Sequence, residues 1–384
     1  MNKQIIRIIS VVMALTLLTC TFSACGGDKN KYEQDPNFVP QTTEPANNTQ
    51  KEDEAPRNMN PLTGELNLTE SAIGKRPVAI MVENTPEARP QWGITTPDVV
   101  IEGMAEGGVT RMMWLYADTN SIPDKVGPVR SARHDFVELA AGMNAIYAHW
   151  GGSDGKDIGK YMAYQAFDKF DVDHIDALKY EGSYFFRDTT RKVSLEHRGI
   201  TKKSAIQKAI KDLKFETKQT LTDWTPYKVT HDEGKIPWSD SSRDSGSCTK
   251  ISVVFSNSDI SRYIRTFKYS EKDKLYYNYL NDQMVKDGNN DQPMSVKNVI
   301  FLYVPVESMK TEKGHVDWKF DAKDIDNKGM YIVNGLGRRI TWAFDEKTCA
   351  LKFYDFDDSP LTVHPGKVYI GIVPIDNRSL TVTE

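Results

Sequence analysis

The fold is decided by the run PVAIMVE at residues 77–83, where five consecutive apolar residues precede a glutamate. A short run of this kind predicts a β-strand, and two similar runs follow at residues 97–102 and 109–116. Helical patterns alternate with these strands, which makes the first part of the chain a mixture of α and β. Further elements are predicted as helices at 132–142, 158–164 and 201–213 and a strand at 144–149.

The later part of the chain has a different pattern, because nearly every segment after residue 249 is short and rich in β-forming residues. This pattern predicts antiparallel β structure, as a small barrel or a sandwich. The polar stretch 231–248 is interpreted as a linker or long loop. The predicted organisation is therefore an N-terminal α+β domain at 61–230 and a C-terminal β-rich domain at 249–384.

The N-terminus reads as a lipoprotein-type signal peptide over residues 1–25. Basic residues precede an apolar stretch at 5–18, which is shorter than the roughly 20 residues that a membrane-spanning helix needs. Cys25 follows the small residue Ala24 and is the predicted lipid acceptor, whereas Cys20 follows Thr19 and is the alternative. An uncleaved N-terminal anchor is a further alternative. Residues 26–60 are polar and predict a disordered tether above the membrane.

The net charge and the number of cysteines limit the possible partners and the possible disulfides of this protein. The chain has 49 Lys+Arg against 53 Asp+Glu, a net charge of −4, which argues against nucleic acid as a general partner. After the signal peptide and the lipid site are set aside, Cys248 and Cys349 remain. They can form one disulfide or stay as two buried thiols, and both alternatives remain open.

The run GPVRSAR at residues 127–133 is the densest candidate for chemistry. Ser131 is the predicted N-cap of the following helix, with Arg130 before it and Arg133 and His134 in the first turn. Cations are unfavourable at the positive end of a helix dipole. Two arginines there indicate an anionic partner.

The identity of that anionic partner stays open at this point. One interpretation is internal, with Glu102, Glu106 or Asp135 neutralising the arginines in an ion-pair cluster. The other is a bound phosphate, carboxylate or anionic glycan.

A second candidate lies where the strand at 144–149 ends. His149 is followed by Gly151, Gly152, Ser153 and Asp154. Ligand sites often occupy such strand ends, where glycine lets a ligand approach the backbone. His149 can act as a general base oriented by Asp154, as a metal ligand, or as a hydrogen-bonded, partly buried histidine.

Two further groups complete the candidate residues. Glu102 and Glu106 flank a glycine-containing turn before Arg111 and could share a proton or bind a cation. Arg187 follows two phenylalanines and could bind an anion, stack on a sugar or form a surface ion pair. No motif with metal-ligand spacing supports a metal site, and no cofactor is predicted.

These motifs together resemble the YerB-like lipoproteins, a bacterial family of unknown function. The resemblance implies a lipid-anchored surface protein with a sandwich-like N-terminal α+β domain of three-layer ββα type and an antiparallel β-rich C-terminal domain. The resemblance implies no particular enzymatic reaction. The chain departs from the family pattern at two places. One is Trp150, and the other is the segment around His197, where the family carries Pro-His-Asn. The segments that carry the resemblance are residues 60–64, 76–84, 88–91, 107–111, 127–133, 186–188 and 361–367.

The leading functional hypothesis is a non-enzymatic module, lipid-anchored at the extracytoplasmic face of the cell membrane. It would bind a cell-wall fragment or phosphorylated polymer through Arg111, Arg130, Arg133 and Arg187, with Ser131 and the glycine amides of the 151–154 loop. The alternatives are a cell-wall hydrolase that uses acidic residues and a histidine, and a scaffold for envelope proteins. The catalytic candidates for the hydrolase are Glu102, Glu106, His149 and His134.

Overall fold

A computed structural model describes residues 55–155, 161–235, 245–258, 261–322 and 327–384. The signal peptide with Cys20 and Cys25 lies outside the described residues, as do most of the predicted tether and residues 236–244 of the predicted linker. Residues 55–60, predicted as the end of the tether, are described. The Asn60 amide donates a hydrogen bond of 3.0 Å to Asp98.

The first part of the described chain contains eight strands and four helices. They are β1 (Val78–Glu83), β2 (Val99–Met104), β3 (Thr110–Tyr116), α1 (His134–Gly142), β4 (Ile146–His149), α2 (Ala163–Lys169), β5 (His174–Asp176), α3 (Ala177–Tyr180), β6 (Phe186–Arg187), β7 (Gly199–Ile200), α4 (Lys203–Asp212) and β8 (Lys228–Val229).

The later part consists of strands and short 3-10 helices. The strands are β9 (Ser245–Ser247), β10 (Lys250–Asn257), β11 (Arg262–Ser270), β12 (Leu275–Leu280), β13 (Gln283–Met284), β14 (Ser295–Val296), β15 (Asn298–Val304), β16 (Val306–Ser308), β17 (Val316–Trp318), β18 (Lys328–Val333), β19 (Leu336–Asp345), β20 (Ala350–Tyr354), β21 (Thr362–Val363), β22 (Val368–Pro374) and β23 (Val382–Thr383). Short 3-10 helices occur along the whole described chain, at Glu70–Ala72, Pro86–Ala88, Glu106–Gly108, Thr119–Ser121, Leu195–Arg198, Glu233–Lys235 and Ile375–Leu380.

One mixed sheet runs through both parts of the chain. Its strand order is β20-β19-β18-β15-β22-β2-β3-β1-β4-β5, with β9 paired to β19. The two parts meet where β22 pairs with β2 in parallel, in a register that sets Val368 opposite Val99. Asp53–Glu384 accordingly form one compact unit.

The main sheet is covered on both faces, because neighbouring residues of a strand point to opposite sides. On one face, Met81 packs in a core with residues of α1 and α2, such as Phe136 and Phe167. On the other face, Ile80 packs in a core that includes Ile206 of α4 and residues of a second sheet. That second sheet has the order β13-β12-β11-β10-β23, with β14 paired to β12.

The α+β class predicted from the sequence is confirmed, since few helices accompany many strands in mixed sheets. Most strand pairs of the later part are antiparallel as predicted, but β15 and β22 are parallel. Cys248 and Cys349 are buried free thiols. Within the described residues, no helix has the length and apolar character needed to cross a membrane.

Candidate functional site

The loop at residues 127–133 lies between the ends of β1 and β4. The Arg130 amide donates to the Met81 carbonyl at 2.9 Å, and the Ala132 amide donates to the Gly151 carbonyl at 2.9 Å. These backbone bonds keep the loop extended, so α1 begins at His134 with Arg133 as its N-cap residue. The prediction of Ser131 as the N-cap is therefore wrong. Its hydroxyl instead donates to the Trp150 carbonyl at 3.1 Å.

Arg111 and Arg133 converge on a single carboxylate, that of Glu106. Arg133 donates from Nε to Oε2 at 2.7 Å and from Nη2 to Oε1 at 2.5 Å, and Arg111 donates to the same Oε1. Only 5% of Arg111 and 9% of Arg133 is exposed. The two arginines are thus neutralised in part from inside the protein.

The charges of this triad explain its pKa shifts. Burial alone raises the pKa of the Glu106 carboxyl, but the Arg111 and Arg133 guanidiniums outweigh burial and lower it to about 2. Burial and the neighbouring Arg133 lower the pKa of Arg111 to about 9. Glu106 and Arg111 are therefore both charged at neutral pH.

Arg130 has two other carboxylate partners, and neither is among the candidates named from the sequence. Its Nε lies 3.2 Å from Glu83 Oε1, and its Nη2 lies 3.2 Å from Glu196 Oε2. The other oxygen of Glu83 lies 3.0 Å from Nδ1 of His197. Because His197 and Glu83 are 114 positions apart in sequence, no local spacing indicated this contact.

Arg187 contacts the 3-10 turn that carries His197. It donates from Nε to Glu181 at 2.9 Å and from Nη1 to the Leu195 carbonyl at 2.7 Å. Its guanidinium also stacks over the Trp150 ring at 3.7 Å. Each of the four predicted arginines therefore has a carboxylate partner within the protein.

His149 is enclosed rather than open to a ligand, with none of its surface exposed. Nδ1 lies 2.7 Å from the Gly151 carbonyl oxygen, and Nε2 lies 2.8 Å from Nδ1 of His174. Burial lowers the pKa of both imidazoles, although the nearby Asp176 acts in the opposite direction. His149 is thus surrounded as expected for a hydrogen-bonded, buried histidine, and not as expected for a general base or a metal ligand.

The residues after His149 also have structural partners. Gly151 has a φ of +70°, and its amide donates to Asp176 at 2.8 Å. Gly152 leaves little room, because a Cβ there would lie 3.3 Å from the Tyr164 ring. Ser153 accepts a hydrogen bond of 3.1 Å from the Ala163 amide, and Asp154 accepts one of 2.7 Å from Gln165. These contacts hold the start of α2 against the loop.

Glu102 does not lie with Glu106. It contacts Thr110, whereas Glu106 contacts Arg111, and these neighbouring residues of β3 point to opposite faces of the sheet. Glu102 is fully buried and pairs with Arg265 at 2.6 Å.

His134 is buried at the start of α1. Its Nε2 lies 3.2 Å from a carboxylate oxygen of Asp135 and 3.2 Å from one of Asp317. These three residues could hold a metal ion, since their donor atoms lie within 4.8 Å of one another. No metal site is predicted from the sequence, and Asp317 is not among its candidate residues.

Arg89 lies in the segment 88–91 that carries the family resemblance, and its guanidinium has no carboxylate partner among the described residues. Arg89 donates from Nε to the Thr85 carbonyl at 3.2 Å, and no carboxylate oxygen of the described residues lies within 4.0 Å of its guanidinium. The guanidinium lies over the Tyr263 ring at 5.8 Å. Burial lowers the pKa of Arg89, and Tyr263 partly opposes this effect.

Arg89 borders a cleft of about 520 Å³, which we call the Arg89 cleft. One wall is the loop around Pro86 and Pro90, and the other is the hairpin of β12 and β13. Lys286 lies at its edge, paired with Asp291 at 2.9 Å. The lining residues are Pro86, Arg89, Pro90, Gln91, Leu280, Gln283, Met284, Val285, Lys286 and Asp291.

Comparison with protein families places both parts of the chain in described but uncharacterised groups. Residues 62–216 match the model described as "Protein of unknown function (DUF3048) N-terminal domain". Residues 251–370 match the model of the DUF3048 C-terminal domain. The two walls of the Arg89 cleft come from these two matched segments.

Comparison with individual proteins gives a consistent result. The chain is 28% identical over 335 residues to the Bacillus subtilis (strain 168) protein named "Putative lipoprotein YerB", covering 84% of this chain and 89% of that protein. The crystal structure of YerB from Bacillus subtilis superposes with a TM-score of 0.67 at 25% identity. The match covers 84% of this chain and 98% of the YerB chain in the crystal. The resemblance inferred from the sequence is therefore confirmed.

Proposed function

The chain belongs to the DUF3048 family of proteins of unknown function, and from that premise we propose that it is a lipid-anchored extracytoplasmic module that binds an anionic envelope ligand in the Arg89 cleft. The similarity to a protein named as a lipoprotein supports the anchor. The signal-peptide pattern that ends at Cys25 supports it independently.

The observation that carries the ligand proposal is the state of Arg89. The Arg89 guanidinium is partly buried and, among the described residues, has no carboxylate within ion-pair distance, so the only carboxylates that offset its loss of hydration are the more distant Glu102 and Glu87. Binding an anion would supply a close counter-charge, with charge-assisted hydrogen bonds to the free Nη groups. Arg111, Arg130, Arg133 and Arg187 offer less to an anion, because each already contacts a glutamate.

The rest of the cleft favours a ligand with an anionic group on an apolar or ring-shaped body. Two prolines, Leu280, Met284 and Val285 give the cleft an apolar lining beside Arg89. A volume of about 520 Å³ suits a ligand segment of drug-like size. A wall fragment with a free carboxylate or one unit of a phosphorylated polymer has this combination.

We propose binding without turnover. A hydrolase would need Glu102 or Glu106 to work with His149, yet Glu102 and Glu106 lie on opposite faces of the sheet and His149 is enclosed. General acid–base catalysis requires such groups within hydrogen-bond reach of one substrate.

Calorimetric titration of the fragment that begins at Asp53 tests the proposal, since Asp53–Glu384 form one compact unit. The probes are a glycerol phosphate oligomer, a muropeptide with free carboxylates, and inorganic phosphate. Arg89→Gln should weaken binding of the anionic probes by roughly tenfold or more, because it removes charge-assisted hydrogen bonds. Rising salt should weaken binding to the wild-type fragment.

The matched control is Arg339→Gln, which removes the same charge from an exposed position on β19. It should leave the affinity for the probes unchanged. Equal affinities of the wild-type and Arg89→Gln fragments, both shown to be folded by circular dichroism, would overturn the Arg89 site. A fragment that binds none of the anionic probes would overturn the proposed ligand class.

A further inference from the structure

A second cleft, of about 530 Å³, is lined by five aromatic rings and lies apart from the Arg89 cleft. We call it the aromatic cleft. Tyr161 and Phe170 belong to the segment around α2, and Trp318, Phe320 and Phe344 belong to the later part of the chain. The full lining consists of Glu138, Tyr161, Lys169, Phe170, Trp318, Phe320, Asp321, Phe344, Glu346 and Lys347.

The rings pack in two groups, which fixes their orientation. Tyr161 and Phe170 are edge to face with centroids 5.8 Å apart. Phe320 stacks on Phe344 at 4.9 Å and meets Trp318 at 6.1 Å. Tyr161, Phe170 and Phe344 are only partly buried, so they still present ring surface to the cleft.

The polar groups among the rings include both acceptors and donors. Glu138, Asp321 and Glu346 provide carboxylates, and Lys169 and Lys347 provide ammonium groups. Lys169 Nζ lies 3.9 Å from the Tyr161 ring centroid and 4.6 Å from that of Phe170. With three acids and two bases, the lining does not favour a strongly anionic ligand.

We infer that the aromatic cleft is a saccharide-binding site, separate from the anion site of the Arg89 cleft. A sugar hydroxyl both donates and accepts hydrogen bonds, so it can pair with carboxylates and with ammonium groups in one site. The C–H face of a sugar ring is apolar and can pack against Phe344 and Tyr161, which removes apolar surface from water. A volume of about 530 Å³ accommodates a short oligosaccharide segment.

Titration of the Asp53–Glu384 fragment with two uncharged probes tests this inference. One probe is a tetramer of β-1,4-linked N-acetylglucosamine, and the other is cellotetraose. Calorimetry and saturation-transfer NMR measure their binding. The wild-type fragment should bind at least one probe saturably. Phe344→Ala should weaken that binding by about tenfold or more, because the apolar contact is lost.

Phe356→Ala is the matched control, since Phe356 is 56% exposed and lies outside the cleft lining. It should leave saccharide binding unchanged. If Phe344→Ala does not fold, the double variant Asp321→Asn, Glu346→Gln replaces it, because both side chains are exposed. That variant should also weaken binding measurably.

Three results would overturn the inference. The first is a wild-type fragment that binds neither probe. The second is binding of a probe by the cleft variants with the affinity of the wild type. The third is loss of saccharide binding in Arg89→Gln, which would mean that the Arg89 cleft is the saccharide site. Retention of saccharide binding by Arg89→Gln supports two separate sites, whatever the outcome of the anion titrations.

Discussion

Glu102 and Arg265 form an enclosed ion pair, with Oε2 2.6 Å from Nη2 and with 0% and 1% of the two side chains exposed. The pair joins β2 of the main sheet to β11 of the second sheet. Glu102 also accepts a hydrogen bond of 3.0 Å from Asn84 and one from the Tyr369 hydroxyl. This environment makes Glu102 a link between the two sheets.

Replacing Glu102 should therefore destabilise the protein strongly. Glu102→Gln leaves the Arg265 guanidinium buried without its counter-charge, and breaking a buried pair in this way costs about 3–5 kcal/mol of unfolding free energy. Urea denaturation of the Asp53–Glu384 fragment measures the change. The control is Asp212→Asn, which breaks the exposed Lys208–Asp212 pair and should have a much smaller effect. Equal effects of the two variants would contradict the structural role of Glu102.

The low pKa of Glu106 predicts a pH-dependent contribution to stability. Its folded pKa is about 2, against the usual 4.5, because Arg111 and Arg133 favour the charged carboxylate. The contribution, about 3 kcal/mol, is present above pH 4.5 and is lost as the pH falls towards 2. Unfolding free energies of the wild type and of Glu106→Gln should therefore differ most at neutral pH and converge in acid.

Glu196→Gln is the comparison for that experiment. Glu196 also pairs with an arginine, but 57% of its side chain is exposed, so solvent screens the interaction. Its removal should change stability little at any pH. A difference between wild type and Glu106→Gln that stays constant from pH 7 to pH 2 would contradict the ion-pair origin of the Glu106 shift.

Local sequence patterns predicted the strands and the amphipathic helix well. The run at 77–83 became β1, and the helix predicted at 201–213 became α4, because each element is formed by residues close together in the chain. The start of α1 was predicted two residues early, since its N-cap is Arg133 and not Ser131. Backbone bonds from Arg130 and Ala132 to distant segments keep those residues extended, and no local pattern encodes such contacts.

The pairing of the charged residues was much less predictable. The sequence motifs indicate Arg111 and Arg133, with Glu106 as one possible internal partner, and the three residues do come together. The contact between Glu83 and His197 is not predictable from the sequence, because the fold alone brings them together. The candidate role of Arg89 is also not predictable from the sequence, because only the fold places its guanidinium at a cleft with no carboxylate within ion-pair distance among the described residues.

The two cysteines of the folded part should resist modification in the native state. Cys248 and Cys349 are buried, and burial raises the pKa of each thiol to about 12. Because the thiolate is the reactive form, a disulfide reagent at pH 8 should label the native fragment slowly and the urea-unfolded fragment fast, at both cysteines. An intact mass lower by two hydrogens without reductant, or rapid labelling of the native fragment, would contradict two free, buried thiols.

Cys25 is expected to carry the lipid, and a pair of cysteine variants distinguishes it from Cys20. Two acyl chains give stable membrane anchoring, whereas a protein without them has no comparable attachment. Cys25→Ala should therefore move the protein from the detergent phase to the aqueous phase in detergent partitioning. Cys20→Ala should stay in the detergent phase, because Thr19 makes that position a poorer cleavage site than the one after Ala24. Release by Cys20→Ala alone would move the lipid site to Cys20, and release by neither variant would favour an uncleaved N-terminal anchor.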